Sequence, residues 1–235
     1  VGLSVLLSTD MGGATARVVR GNCASGVTPY LEFAPQIHKG LRGLPVPASE
    51  VLDIAVTKSG RITLVGLDDA CNGPYLYTLE PGGFAWVTAF PDQDWYLTVR
   101  RGRIHTPGGD ESPGCSRVAT LSVLGGTIAR VACTDGTLFG TMNNGNSWKK
   151  LGTLPDLRAV DYSSPSVGVA LARFEGCPAQ AFLTRDGGKS WTKQGCINGS
   201  RADTLAFNGL GWVAQVSGVL YVSLDYGKTW SPSIG

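Results

Sequence analysis

The sequence predicts an all-β fold, a β-propeller of four-stranded antiparallel blades. Three observations carry that reading. Short β-rich runs alternate with turn residues, and no helical period of apolar positions appears. Glycine is abundant, at 33 of 235 residues, as many tight turns require. One eight-residue pattern recurs at intervals of about 40 residues, the period of a four-stranded repeat unit.

The pattern is S/T-x-D-x-G-x-S/T-W. Thr184-Arg-Asp186-Gly-Gly188-Lys-Ser190-Trp191 and Ser223-Leu-Asp225-Tyr-Gly227-Lys-Thr229-Trp230 are complete copies, 39 residues apart. Thr141-Met-Asn143-Asn-Gly145-Asn-Ser147-Trp148 has Asn for Asp, and Thr78-Leu-Glu80-Pro-Gly82 is weaker, with Trp86 one place late. The chemistry is that of a stapled hairpin. The Asp side chain accepts hydrogen bonds from its own turn. The Gly supplies a positive φ. The Trp opens the next strand and packs against its neighbour. These residues are therefore read as folding hardware without an active-site role.

The four copies resemble the Asp-box, or BNR, repeat family, which includes sialidases, sortilin-type receptors and photosystem II assembly factors of propeller type. The resemblance is specific for the hairpin. It covers roughly the C-terminal two-fifths of the chain strongly and the remainder weakly. It implies a propeller, and it leaves open whether the chain is an enzyme or a binding module.

The cysteines set the register of the rest. Cys71, Cys133 and Cys177 lie seven, eight and seven residues before Thr78, Thr141 and Thr184. Pro29-Tyr-Leu31 matches Pro74-Tyr-Leu76, which makes Cys23 the counterpart of Cys71. The parse is one domain, 1–235, of five blades: 1–47, 48–91, 92–153, 154–196 and 197–235. In the fourth the strands are Leu157–Tyr162, Val167–Arg173, Ala179–Thr184 and Ser190–Gln194, with Val167–Leu171 alternating as a half-buried strand does. Two segments exceed the repeat. Pro35–Ser49 replaces or distorts the first blade's last strand. Asp92–Arg117 holds a hairpin, Trp95–Val99 with Arg103–Thr106, or else part of a sixth blade.

In a four-stranded meander the 1–2 and 3–4 turns share one face, and the 2–3 loops and inter-blade links share the other. The Asp boxes are 3–4 turns. Cys23, Cys71, Cys133 and Cys177 fall in 2–3 loops, and Cys115 and Cys196 in links. Nearest pairing gives Cys23–Cys71, Cys115–Cys133 and Cys177–Cys196, one of fifteen connectivities open to six cysteines. An even cysteine count without CxxC or metal-ligand spacing favours disulfides and an oxidising compartment, hence a secreted, periplasmic or extracellular protein, over six buried thiols. No zinc or other metal site and no cofactor is expected.

Both insertions are placed on the cysteine-bearing face. They carry His38, Lys39 and Arg42, and Arg100, Arg101, Arg103 and His105. A basic patch for an anionic partner is one reading, and solvated loop charge, with Asp110 and Glu111 beside it, is the other. Net charge is only +2, so no global field draws the chain to nucleic acid or membrane. No apolar run reaches the roughly 18 residues of a membrane span, and Val1 to Leu7 does not read as a signal peptide.

The function expected is a non-catalytic binding or assembly module, docking a protein or glycan on the cysteine-bearing face, and a monomer by itself because a closed propeller hides its strand edges. Two alternatives stand beside it. A sialidase-like hydrolase needs a three-Arg carboxylate clamp and a Tyr nucleophile with a Glu partner. Gly102-Arg103-Ile104-His105-Thr106-Pro107 departs from that family's F/Y-R-I-P string, and Arg17, Arg173, Tyr30 and Tyr162 show no telling spacing. Asp68, Asp69, Asp135 and Glu175 offer a carboxylate pair on paper but read as turn residues. A lectin would stack sugar on Trp95, Tyr96 or Trp212, against a plainer reading as blade packing.

Overall fold

The computed structural model describes residues 5–9, 15–19, 21–23, 29–33, 44–56, 61–80, 86–89, 95–98, 102–200 and 202–233. The fold is all-β, a β-propeller of five four-stranded antiparallel blades, with a three-stranded sheet besides and no helix among the described residues. Two compact units divide the chain: residues 1–91 with 234–235, and residues 92–233.

The first unit holds two blades. One runs β1 (Val5–Thr9), β2 (Thr15–Val19), β3 (Tyr30–Phe33) and β4 (Leu44–Pro45). The other runs β5 (Glu50–Val56), β6 (Ile62–Leu67), β7 (Tyr75–Leu79) and β8 (Trp86–Ala89). Each is a meander in sequence order. Val18 and Leu31 from one blade bury against Val51, Leu64 and Tyr77 of the next. A lone bridge pairs Gly21 with Glu50, tying the segment after β2 to the start of β5.

The second unit opens with the three-stranded sheet, β9 (Tyr96–Leu97), β10 (Ile104–Thr106) and β11 (Gly109–Glu111). The hairpin read from sequence is therefore shorter in its first strand and gains a third. Three blades follow. The first is β12 (Val118–Gly125), β13 (Ile128–Cys133), β14 (Thr137–Thr141) and β15 (Lys149–Thr153). The second is β16 (Leu157–Tyr162), β17 (Gly168–Phe174), β18 (Cys177–Thr184) and β19 (Thr192–Ile197). The third is β20 (Ala202–Phe207), β21 (Trp212–Val216), β22 (Val219–Ser223) and β23 (Ser231–Pro232).

Strand β17 is not half-buried, as its alternation predicts, but buried on both faces. Val169 and Leu171 pack with Ala202, Leu205 and Trp212 of the following blade. Ala170 and Ala172, facing the other way, pack with Ala132, Leu138 and Leu154 of the preceding one. The alternation is of large with small rather than apolar with polar, because a middle strand here has a sheet on each side. Full burial of one such Leu contributes roughly 2–3 kcal/mol.

Three placements differ from the sequence reading. Cys196 lies inside β19, paired with Gln180, and not in a link. Cys133 ends β13 and Cys177 begins β18, so both are strand residues. The insertion 92–117 does not keep to the cysteine-bearing face: the Trp95 indole donates to the Gly126 carbonyl in the β12–β13 turn at 3.2 Å, and Thr106 abuts Gly145 in the β14–β15 turn. Trp95 and Ile104 are nearly dry, and their burial against Val131 and Trp148 outweighs leaving the segment in solvent.

Candidate functional site

Three of the 3–4 turns share one hydrogen-bond scheme. The Thr184 hydroxyl donates to Asp186 Oδ1 at 2.8 Å and accepts from the Gly188 amide at 2.8 Å. Asp186 then accepts from the Lys189 and Ser190 amides at 3.1 and 2.9 Å and from the Ser190 hydroxyl at 2.6 Å. Ser223, Asp225, Gly227 and Thr229 repeat it, with Ser223 Oγ to Asp225 at 2.9 Å, the Gly227 amide to Ser223 Oγ at 2.8 Å and the Thr229 hydroxyl to Asp225 at 2.6 Å. In the third, Asn143 does the same through Oδ1, and its Nδ2 donates to Ser147 at 3.0 Å. Gly145, Gly188 and Gly227 have φ of 84°, 96° and 83°, which an L side chain rarely adopts. The donors hold these carboxyls ionised. The Ser190 hydroxyl and amide pull Asp186 down to about 2. At Asp225 burial pushes upward, but the Thr229 hydroxyl and amide outweigh it and the net shift is down.

The weak copy is different. The Glu80 carboxylate meets Arg61, with Nε to Oε1 at 2.7 Å, and the turn that follows it lies outside the described residues. The cross-strand pair Leu79–Trp86 shifts the register by one, so Trp86 stands at the expected interval from Leu79 rather than from Thr78. Gly82, with His38, Lys39, Arg42, Arg100 and Arg101 of the basic insertions, lies outside the described residues.

Trp148, Trp191 and Trp230 are half-buried beside their turns. Trp148 meets Trp95 edge-on at 6.3 Å, Trp191 meets Tyr162 at 6.5 Å, and the Trp230 indole donates to the Gly227 carbonyl at 3.0 Å. A further contact was not read from sequence. The Gly195 amide of β19 donates to the Gly227 carbonyl at 2.8 Å. A Cβ at Gly195 would run into Lys228, and a Cβ at Gly152 of β15 would run into the Gly188 carbonyl. The last two box turns thus seat on the fourth strand of the blade before each, at a glycine four residues past that blade's Trp.

In the described part of the second insertion, Asp110 lies beside the basic residues. His105 Nδ1 is 2.8 Å from Asp110 Oδ1, and the imidazole stacks on Tyr96 with centroids 4.6 Å apart. The Arg103 guanidinium donates to the Asp110 carbonyl at 2.5 Å. Asp110 therefore engages both at the surface of the three-stranded sheet.

The remaining candidates divide simply. Asp68 accepts from the Ala70 and Asn72 amides at 2.9 and 2.8 Å, Asp69 from the Ser49 hydroxyl at 2.8 Å, and Asp135 from the Thr137 amide at 2.9 Å. Glu175 pairs with Lys193 at 2.7 Å. Asp68 and Asp135 staple their own turns, Asp69 ties its loop to the residue before β5, and Glu175 belongs to a surface ion pair. Trp95, Tyr96 and Trp212 are 7 %, 4 % and 1 % exposed, so none offers a ring face to a sugar. Among the described residues no group of three or more His, Cys, Asp or Glu gathers as metal ligands would.

Two buried charges went unread in the sequence, Arg130 as the lone charge of its strand and Asp161 in a strand shared with Arg158. Asp161 of β16 accepts the Ser122 hydroxyl of β12 at 2.5 Å and the Phe207 amide of β20 at 2.7 Å. Arg130 of β13 donates to the carbonyls of Ala129, Thr141 and Pro165 at 3.1, 3.2 and 2.9 Å, with its guanidinium 6.0 Å from the Tyr162 ring centre. Burial pushes the Asp161 carboxyl up and the Arg130 guanidinium down.

Cystines link Cys115 to Cys133 and Cys177 to Cys196, with Cα atoms 5.3 and 6.1 Å apart, while Cys23 and Cys71 are free thiols. At the opposite end of the second unit, the turns carry exposed apolar side chains. Met142, Leu210 and Leu224 are 68 %, 72 % and 74 % exposed, and Tyr226 lies 5.0 Å beneath the Arg185 guanidinium. Between the last two box turns is a shallow groove of about 370 Å³, lined by Leu183, Arg185, Asp186, Ser190, Thr192, Gln194 and Lys228.

No protein-family model and no curated protein matches this sequence. Solved structures do. The WD40 repeats of RRP9 are 12 % identical with a TM-score of 0.56, over 89 % of this chain and 72 % of that one. Human WBSCR16 is 9 % identical with a TM-score of 0.53, over 99 % of this chain and 81 % of that one. A structure of YCF48 bound to D1 peptide is 20 % identical with a TM-score of 0.41, over 49 % of this chain, which spans only 38 % of that one. At these identities the likeness concerns the fold alone.

Proposed function

We propose that this chain is a non-catalytic protein-binding or assembly module of the Asp-box propeller type, acting outside the cytoplasm. Its partner docks on the end that carries the stapled turns, rather than on the cystine-bearing end favoured by the sequence. One observation carries the choice of end. Among the described residues, Met142, Leu210, Leu224 and Tyr226 stand exposed on turns there, against Phe174 and Val219 at the other end of that unit. Exposed apolar side chains on a fixed scaffold are what a protein interface uses. Arg185, Lys189 and Lys228 stand exposed beside them, which suits an anionic partner. The two cystines support an oxidising location.

The test compares three baits carrying the parent sequence, Tyr226→Ala with Leu224→Glu, and Phe174→Glu. They are offered to extracytoplasmic proteins of the source. A partner kept by the parent and the Phe174 variant but lost by the double variant supports the reading. The reverse pattern moves the interface to the cystine end. Turnover of a fluorogenic sialoside by the parent would replace the binding module with a hydrolase.

A further inference from the structure

Cys23 and Cys71 come from different blades of the first unit, yet they converge on one atom. Cys71 sits in the β6–β7 loop, where its amide donates to the Asp68 carbonyl at 2.9 Å. Cys23 follows β2, and its thiol reaches the same carbonyl at 3.9 Å. Both loops are held in place from outside the pair. The Gly21–Glu50 bridge fixes the backbone two residues before Cys23. Asp68 Oδ1, accepting from the Ala70 and Asn72 amides, clamps the loop around Cys71 and keeps Cys71 at a φ of 62°, a left-handed conformation unusual for a side chain with a Cβ. Cys71 is exposed and Cys23 partly buried.

We propose that Cys23 and Cys71 are the two ends of an exchangeable third cystine, which staples the first blade to the second. It differs in kind from the other two. Cys177–Cys196 lies within one blade, and Cys115–Cys133 joins a blade to its own leading segment. Only the Cys23–Cys71 bond would cross from one blade to the next.

Exposure sets the order of events. A small disulfide such as glutathione disulfide meets Cys71 first. The Cys71 thiolate attacks one sulfur, forms a mixed disulfide and releases one glutathione thiolate. Cys23 Sγ, held at the same Asp68 carbonyl, loses its proton to solvent and attacks Cys71 Sγ, releasing the second glutathione. Two protein thiols are oxidised and one glutathione disulfide is reduced to two glutathione molecules. Burial first, and the neighbouring Cys71 second, push the Cys23 thiol up to about 12, so Cys23 is not the thiol that meets the oxidant first.

The experiment uses the full chain, equilibrated in oxidising glutathione buffer, alkylated with iodoacetamide and weighed intact, then digested without reduction. The expected result is no alkylated cysteine and a peptide joining Cys23 to Cys71. In Cys23→Ser the mixed disulfide is expected to arrest on Cys71, and in Cys71→Ser the Cys23 thiol is expected to stay without glutathione. The proposal is overturned if the parent alkylates at both thiols in a buffer that protects the other four. It is overturned equally if the parent accumulates a stable glutathione adduct at Cys71, or if Cys23→Ser and Cys71→Ser react alike. The parent measurement stands even if either variant folds poorly.

Discussion

The Ser122 hydroxyl donates to the Asp161 carboxylate at 2.5 Å, from the first strand of one blade to the first strand of the next. The same carboxylate takes the Phe207 amide of a third blade at 2.7 Å. One side chain therefore links three successive blades. Asp161→Ala is expected to destabilise by about 3 kcal/mol, since it strands two buried donors, and Ser122→Ala by about 1 kcal/mol. Urea midpoints should fall with an unchanged slope.

The same residue fixes a pH dependence. Burial raises the Asp161 carboxyl above its ordinary 3.8. In that case the folded state holds the proton longer than the unfolded state does. Its favourable contribution is present below the unfolded value and is lost as pH rises through the folded one. Asp161→Asn, which imitates the protonated form, is expected to gain on the parent as pH rises from about 4 to 7. A stability difference that stays flat over that range would show no shift at Asp161.

Asp186 has the opposite sign. Its carboxyl is held down at about 2, so its contribution is present above the unfolded value and is lost as pH falls through the folded one. Asp186→Ala is expected to lower stability by about 1–2 kcal/mol at neutral pH, as loss of a comparable side-chain cap does, and to matter less near pH 2. Asp186→Asn should cost under about 1 kcal/mol, because Asn143 already performs the role in a neighbouring blade.

The seat between turn and fourth strand requires glycine. Gly195→Ala and Gly152→Ala drive a methyl into a backbone carbonyl, and each is expected to cost about 1–3 kcal/mol in thermal or urea unfolding. Gly126→Ala is the control. A Cβ there meets nothing within 4 Å, so its unfolding should stay within about 0.5 kcal/mol of the parent.

Met142→Glu and Leu224→Glu should leave stability within about 0.5 kcal/mol, because both side chains already face water. A larger loss would show that they pack in the fold, and would remove them as a docking surface.

The repeat was legible because its chemistry is local. Thr184, Asp186, Gly188 and Ser190 lie within seven residues, and their mutual bonds need no other part of the chain. What escaped the sequence depends on neighbours distant in the chain. Val169 and Ala170 alternate as a half-buried strand would, and nothing local shows that a second sheet covers the other face. The sequence left the charge of Arg103 and His105 open between a patch and loop charge beside Asp110, and the β10–β11 hairpin brings Asp110 against both. The side of the molecule on which the insertion lies was misread because Trp95 finds its partner at Gly126, 31 residues on. Arg130 was visible as a solitary charge in an apolar strand, a signal that marks a buried polar contact without naming its partners, whereas Asp161 shares β16 with Arg158 and gave no such signal.

Within each stapled turn, the first residue and the glycine are buried, while the second and sixth point outward: Met142 and Asn146, Arg185 and Lys189, Leu224 and Lys228. The six outward positions take no part in the hydrogen-bond scheme through their side chains. Their identities can drift or be selected without unfolding the hairpin that displays them. The repeat thus separates what must be preserved from what is free to vary, and a change of ligand would be written in those six positions while the motif that reveals the fold stays the same.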